Sequence, residues 1–211
     1  MRTLLLGLAL LVCSCAPGSV TAAHATPPPA TARGVVLQAG DVPAVQKCPQ
    51  SDPWAVLMLR GEPEMLPTGF TSWADLKAAG ATDGWLSLYA ESAPECPLLL
   101  GSAKPSGRLV YAAVIKFKSS ASAAASFAAS SRTFPVAPDF ADRFAAAGGK
   151  VTKGAGTGFG EDSAVATISF SGVPTYVAFW QNKSFDAVVY ADNLSAAEAG
   201  TAVTRMNARI H

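Results

Sequence analysis

Histidine is almost absent from this sequence of 211 residues, which contains only two. His24 lies in a stretch rich in proline and alanine, and His211 is the last residue given. A catalytic or metal-binding histidine needs rigid support from the surrounding structure, and neither position promises it. The scarcity argues against Ser-His-Asp or Cys-His catalysis and against zinc sites built from histidine and cysteine. We therefore expect no enzyme, no catalytic residue, no metal site and no cofactor.

Charged residues are also scarce, and their signs are balanced. They make up 15% of the chain, with 16 lysines and arginines against 15 aspartates and glutamates. No run of basic residues occurs in the sequence. Because nucleic-acid binding depends on a clustered positive surface, we expect no nucleic-acid partner.

Long hydrophobic runs are missing as well, because charged residues, glycine or proline interrupt every apolar stretch after residue 12. A transmembrane helix takes about 20 apolar residues, so none is expected. Residues 4–12 form a short apolar run behind the single positive charge of Arg2. This order of charge and apolar residues is typical of a secretory signal peptide, and it predicts export.

The apolar run ends in the sequence Val12-Cys13-Ser14-Cys15. An aliphatic residue three positions before Cys15 and a small residue directly before it resemble the lipobox of bacterial lipoproteins. The resemblance implies that residues 1–14 are removed as the signal peptide and that the Cys15 thiol is acylated. The protein would then be anchored to the outer face of the cell membrane or envelope. Ordinary cleavage near residues 22–25 is the alternative, and it would release a secreted protein.

Residues 15–33 are rich in proline, alanine and threonine, with three consecutive prolines at 27–29. Such a segment cannot bury apolar surface and tends toward an extended polyproline II conformation. We therefore expect a linker over 15–33 and a single folded domain over 34–211.

Two of the four cysteines remain beyond the signal peptide and the acylated position, namely Cys48 and Cys96. In an exported protein an even pair predicts a disulfide. A reactive or metal-binding pair is the alternative, but no histidine or third cysteine lies near either residue in the sequence.

Hydrophobic alternation and capping signals predict the secondary structure. The predicted strands cover 85–90, 108–118, 163–170, 175–181 and 185–191, and the predicted helices cover 51–61, 71–80, 119–132, 137–149 and 195–210. Residues 34–43 are predicted to form either a short strand or an extended entry into the fold. The strand at 108–118 is apolar on both faces, which predicts a central strand covered on two sides. Strands followed by a helix occur twice, over 85–132 and 163–210. This pattern predicts an α+β domain whose antiparallel or mixed sheet of about five to six strands carries helices on one face.

The glycine-rich segment 154–162 lacks the final glycine of a dinucleotide-binding fingerprint and the Gly-Lys-Ser/Thr of a phosphate-binding loop. It is predicted to be a turn before a strand. The overlapping stretch GFGEDSAVA, residues 158–166, leads into the last hairpin and helix. This part of the chain resembles uncharacterised secreted lipoproteins and sensor ectodomains of GC-rich bacteria. The resemblance implies an extracytoplasmic role and, for some of these proteins, a Mog1/PsbP-like fold.

Aromatic residues concentrate on the last predicted hairpin, where Tyr176, Trp180 and Tyr190 lie. One interpretation is an ordinary core between the sheet and the helices. The other is an apolar cleft in which these three residues bind a lipid, a peptide or a glycan.

The function predicted from these features is that of a membrane-anchored extracytoplasmic lipoprotein, acting as a non-catalytic binding or sensor module. Its expected partners are the membrane, through the N-terminal lipid, and either a small apolar ligand or an envelope protein. One alternative is an accessory envelope protein that acts only through protein–protein contacts. The other is a hydrolase without histidine, using Lys116 or Lys118 beside a buried serine.

Overall fold

The computed structural model describes residues 30–60, 73–100, 104–130, 142, 144–170 and 172–211. The predicted signal peptide, the predicted lipidation site Cys15 and most of the predicted linker lie outside these residues. None of the helices in these ranges has the length and the apolar character that a membrane span requires.

A seven-stranded antiparallel sheet forms the centre of the domain, with the order β1-β2-β3-β7-β6-β5-β4. The strands are β1 (Gln46–Lys47), β2 (Ala81–Ala90), β3 (Leu109–Phe117), β4 (Lys150–Lys153), β5 (Ser163–Phe170), β6 (Val173–Asn182) and β7 (Phe185–Asp192). Every neighbouring pair is antiparallel. The predicted α+β fold class is confirmed, with seven strands instead of the five or six expected.

The difference in strand count comes from the two edges of the sheet. The outermost strands β1 and β4 have two and four residues, and their side chains are exposed or only half-buried. Apolar alternation arises where one face of a strand is buried, so these short exposed edges carry little of that signal. β4 begins directly after the region predicted as the helix 137–149.

The segment 34–43 is not a strand. It contains the end of a helical turn, α1 (Ala32–Val35), followed by turns. Val35, Val36 and Leu37 are consecutive and all buried, because this segment lies flat on the sheet. The Val35 and Val36 carbonyls accept hydrogen bonds from the Arg209 guanidinium. The backbone carbonyls of this apolar run therefore accept hydrogen bonds from the Arg209 side chain and not from a neighbouring strand.

The remaining helices are α2 (Ser51–Arg60), α3 (Trp73–Ala78), α4 (Ser120–Ser130) and α5 (Ala196–Ala208), with a 3-10 helix over Ala93–Leu100. α5 begins with the capping box that the sequence predicts. The Glu198 backbone donates to the Ser195 hydroxyl, and the Ser195 backbone donates to the Glu198 carboxylate. This reciprocal pair satisfies backbone donors that the first turn of a helix leaves open.

Helices cover both faces of the sheet, not one as predicted. Face A is the side to which Val110, Trp180 and Val189 point, and α5 and residues 30–42 cover it. Face B is the opposite side, to which Tyr111 and Val177 point. It is covered by α2, α3, α4, the 3-10 helix and Phe144. The central strand β3 is therefore buried on both sides, as predicted.

The N-terminal end of the described chain is part of the fold. Ala30 and Ala32, which the sequence places in the linker, are buried on face A. The Ala30 carbonyl accepts a hydrogen bond from Lys116 Nζ at 2.7 Å, and the Ala32 backbone donates to Asp83 Oδ2 at 2.8 Å. The chain is consequently fixed to β2 and β3 from residue 30 onward.

The predicted pair Cys48 and Cys96 forms a disulfide, with 5.7 Å between the Cα atoms. Both cysteines are buried, at 1% and 3% exposure, in an apolar cluster on face B. The bridge joins the 3-10 helix to the residue after β1 and encloses α2, α3 and β2. It therefore closes a loop that contains a strand of the central sheet.

Candidate functional site

Two of the three predicted binding residues lie inside the core on face A. Tyr176 and Trp180 on β6 are 4% and 0% exposed. Trp180 Nε1 donates to Asn207 Oδ1 of α5 at 3.1 Å, and the Phe159 ring lies over the indole at 6.0 Å between centroids. Both aromatic side chains therefore lie in the core between the sheet and the segments that cover face A.

The third predicted residue, Tyr190 on β7, points to face B and is half-buried. Its ring packs against the disulfide cluster on one side, which includes Leu109 and Tyr111. On the other side it packs against the cluster around Phe144 and Val177. The structure therefore separates Tyr190 from Tyr176 and Trp180 by the thickness of the sheet.

Polar side chains that the sequence analysis does not single out surround Tyr190. The strand register places Tyr111 opposite Tyr190, and Thr175 opposite Asp192. Thr175 Oγ1 donates a hydrogen bond of 2.6 Å to Asp192 Oδ1. We call these four residues the Tyr190 patch. A signal for it does exist in the sequence, since side chains two apart on a strand share a face and Asp192 follows Tyr190 at that spacing.

Burial controls the ionisation of the Tyr190 patch. It raises the pKa of the Asp192 carboxyl, while hydrogen bonds from Thr175 and Tyr190 partly offset the rise. Burial raises the pKa of Tyr190 to about 12, and the charge of Asp192 adds to that rise. The pKa of Tyr111 lies well above its ordinary value, also because of burial. Both phenols consequently stay neutral over the ordinary pH range.

The chemistry that this arrangement offers is hydrogen bonding between two apolar surfaces. Neutral phenols and the Thr175 hydroxyl can donate or accept, and Asp192 can accept. The disulfide cluster and the Phe144 cluster supply apolar contacts on either side. Such a combination suits a molecule with an apolar body and one polar group.

The other candidate features of the sequence have structural roles in the described residues. Lys116 Nζ is bound to the Ala30 carbonyl, and Lys118 is exposed above Gly80. The glycine-rich segment forms a short 3-10 helix over Gly154–Thr157 and then leads into β5. The Ser163 hydroxyl closes this turn by donating to the carbonyl of residue 160, and it also lies 3.1 Å from the carbonyl oxygen of residue 154. Across the described ranges, no group of three or more acidic, histidine or cysteine side chains is placed to hold a metal ion.

Comparison with known proteins gives little similarity. No protein-family model matches the chain, and no curated protein matches it. Among solved structures, the extracellular domain of PknH from Mycobacterium tuberculosis is similar over 79% of this chain and 77% of its own, with 14% identity and a TM-score of 0.38.

Proposed function

We propose that this protein is an exported lipoprotein, anchored to the membrane through acylated Cys15, whose folded domain is a non-catalytic binding or sensor module. We assign its binding surface to the Tyr190 patch on face B. The ligand class is a small amphipathic molecule with a largely apolar body and one hydrogen-bonding group.

The observation that carries the export part of the proposal is the buried disulfide between Cys48 and Cys96, whereas the anchoring part rests on the lipobox-like sequence before Cys15. Disulfides form and persist mainly in oxidising compartments outside the cytoplasm. The signal-like residues 1–14 and the lipobox-like sequence before Cys15 agree with that compartment. These features are independent of one another, because the disulfide depends on the fold and the lipobox on the leader.

The binding part of the proposal is supported by the position of Tyr190. It is the half-buried member of a patch whose other residues, Tyr111, Thr175 and Asp192, are at most 5% exposed. The half-buried phenol of Tyr190 beside the buried carboxyl of Asp192 offers a ligand both a contact surface and a hydrogen-bonding group. Docking through a broad apolar surface has less support, since Val56 is the one exposed large hydrophobic side chain among the residues whose burial the structure describes.

Intact-mass measurement of the protein purified from membranes of its native host tests the anchor. The expected denatured mass is that of the chain from Cys15 plus acyl groups, less two hydrogens for the disulfide. A mass that begins near residues 22–25 without acyl groups would show a secreted protein and would overturn the anchoring.

Native mass spectrometry of the same preparation, with a lipid extract of the host added as the probe, tests the binding surface. We expect an adduct in the wild-type protein that is lost or strongly weakened in Tyr190→Phe. The matched control is Tyr176→Phe, which also removes one hydroxyl from the sheet but on face A, and it should retain the adduct. Equal adducts in both variants, or none in the wild-type protein, would reject the Tyr190 patch as the binding surface.

A further inference from the structure

A second buried carboxyl lies on face B, outside the Tyr190 patch. Asp186 on β7 is 5% exposed, and its cross-strand neighbours are Ile115 on β3 and Gln181 on β6. Its Oδ1 atom is buried and has no hydrogen-bond partner in the described part of the chain. A buried ionised carboxylate in this condition is costly, whereas a protonated one is tolerated.

Among the residues that the structure describes, none supplies a cation beside Asp186. Helix α4, with the sequence SASAAASFAAS, has no ionisable side chain, and its Ser126 hydroxyl lies beside Asp186. Lys116 on β3 points to face A, where Nζ binds the Ala30 carbonyl. Lys183 at the β6–β7 turn is exposed. The charged side chain that acts on Asp186 is Asp162, and it has the same sign.

α4 is held on face B by apolar contacts on either side of Asp186. The Phe127 ring stacks on Phe179 of β6, with 4.6 Å between centroids and 21° between planes. Ala123 is buried against Phe117 of β3. A negative charge formed beneath Ser126 would therefore arise under the middle of the helix, where Asp186 is only 5% exposed to water while the helix is in place.

We propose that Asp186 is a pH-sensitive latch: its protonated form keeps α4 seated on the sheet, and its ionised form loosens the helix. The titration of Asp186 itself requires neither the anchor nor a bound ligand. The physical direction agrees with the effect of burial on the pKa of Asp186. Burial is the largest cause and, with the charge of Asp162, it outweighs the opposing hydrogen bond from Ser126, so that the pKa rises from its ordinary 3.8 to about 7. The latch would be closed in an acidic environment and would open on going from mildly acidic to mildly alkaline pH.

The latch also borders the Tyr190 patch. Asp186, Val188 and Tyr190 are alternate residues on β7, and Phe179, which α4 covers, is paired with Val188. Loosening α4 would uncover the row next to Tyr190. Access to the apolar side of the candidate binding surface would then increase as the pH rises.

Hydrogen exchange of the full-length mature protein, compared between about pH 5 and about pH 9 after correction for the intrinsic exchange rate, tests the latch. We expect protection of the α4 amides to fall by about tenfold or more across this range, while protection in β3 stays unchanged. Asp186→Asn, which is neutral and nearly the same shape, should keep α4 equally protected at both pH values. Asp162→Asn should move the wild-type transition to lower pH, because it removes the repelling charge.

Three results would overturn the proposal: unchanged α4 protection, an equal loss in β3, or a loss that persists in Asp186→Asn. If that variant does not fold, carboxyl NMR titration of Asp186 in the wild-type protein decides. A midpoint near neutrality that coincides with the change in α4 amide signals supports the latch. A midpoint near the ordinary aspartate value, or one without coincident changes in α4, rejects it.

Discussion

Arg209, just after α5, donates hydrogen bonds to the Asp41 carboxylate from both terminal nitrogens of its guanidinium. The Nη2–Oδ2 distance is 2.6 Å, and the Nη1–Oδ1 distance is 3.1 Å. The same group donates to the carbonyl oxygens of Val35 and Val36. The Arg209 side chain thus joins the C-terminal helix to the first residues of the described fold. It also donates to two backbone carbonyls that no strand pairs with.

Replacing Arg209 with alanine should destabilise the domain by about 2–3 kcal/mol, because it leaves a buried carboxylate and two carbonyls without their charged donor. The Asp41 side chain is only 8% exposed. Urea denaturation measures the loss. Arg205→Ala is the matched control, since Arg205 is exposed and donates only to the carbonyls of Gly40 and Asp41. It should cost less than about 1 kcal/mol, and equal losses in the two variants would contradict the role given to Arg209.

Removing the disulfide by the double change Cys48→Ala and Cys96→Ala should reduce stability substantially. The bridged residues are 48 apart in sequence, and closure of a loop of that length corresponds to about 4 kcal/mol in the chain-entropy model. The unfolding midpoints of wild-type protein in oxidising and reducing buffer should differ in the same direction. A double variant as stable as the oxidised protein would show that the bridge adds nothing to the fold.

Trp180→Ala should cost about 3–5 kcal/mol, because it empties a fully buried indole site and leaves Asn207 short of a donor. The comparison is Trp85→Ala. Trp85 is half-buried and stacks under Arg33 at 4.8 Å, so its loss should be clearly smaller. Thermal unfolding of both variants tests the order, and a reversed order would mean that the β6 site is less tightly packed than the structure indicates.

Asp186 should make the domain less stable as the pH rises through the mildly acidic range. Its pKa in the folded protein is raised to about 7 from an ordinary 3.8, so the folded state binds the proton more tightly than the unfolded state. Stability contributed by the protonated form is full below the ordinary pKa, declines between the two values and is lost above about 7. The difference corresponds to about 4 kcal/mol at most. Asp186→Asn should flatten this part of the curve of unfolding free energy against pH, whereas a decline of the same size in the variant would assign it to other groups.

Local patterns in the sequence predicted a secondary-structure element correctly where that element lies in the middle of the sheet or carries its own helix cap. The two-sided apolar run of β3 and the Ser195–Glu198 box of α5 both predict their elements within a few residues. The edge strand β4 could not be found in this way, because it has four residues, of which the two lysines are exposed and Val151 and Thr152 are only half-buried. The pairing of Cys48 with Cys96 followed from export and from the number of cysteines alone.

The length of the β6–β7 turn decides whether Tyr190 lies on the same face of the sheet as Tyr176 and Trp180. Asn182 pairs with Phe185, so the turn has two residues and Tyr190 lies opposite Val177. A three-residue turn would instead set Tyr190 opposite Tyr176, on face A. Because a slip of one residue exchanges the two faces of a strand, aromatic spacing without a known register does not determine which side chains meet.

The attachment of residue 30 has a mechanical consequence for any force applied along the preceding chain. A pull would reach β3 through the bond from Lys116 to Ala30, and it would reach β2 through Asp83. Further inward, the load would pass from Val35 and Val36 into Arg209 and the C-terminal helix. Tension is thereby shared between the centre of the sheet and the helix that covers it. A domain loaded in this manner would resist peeling from its N-terminus.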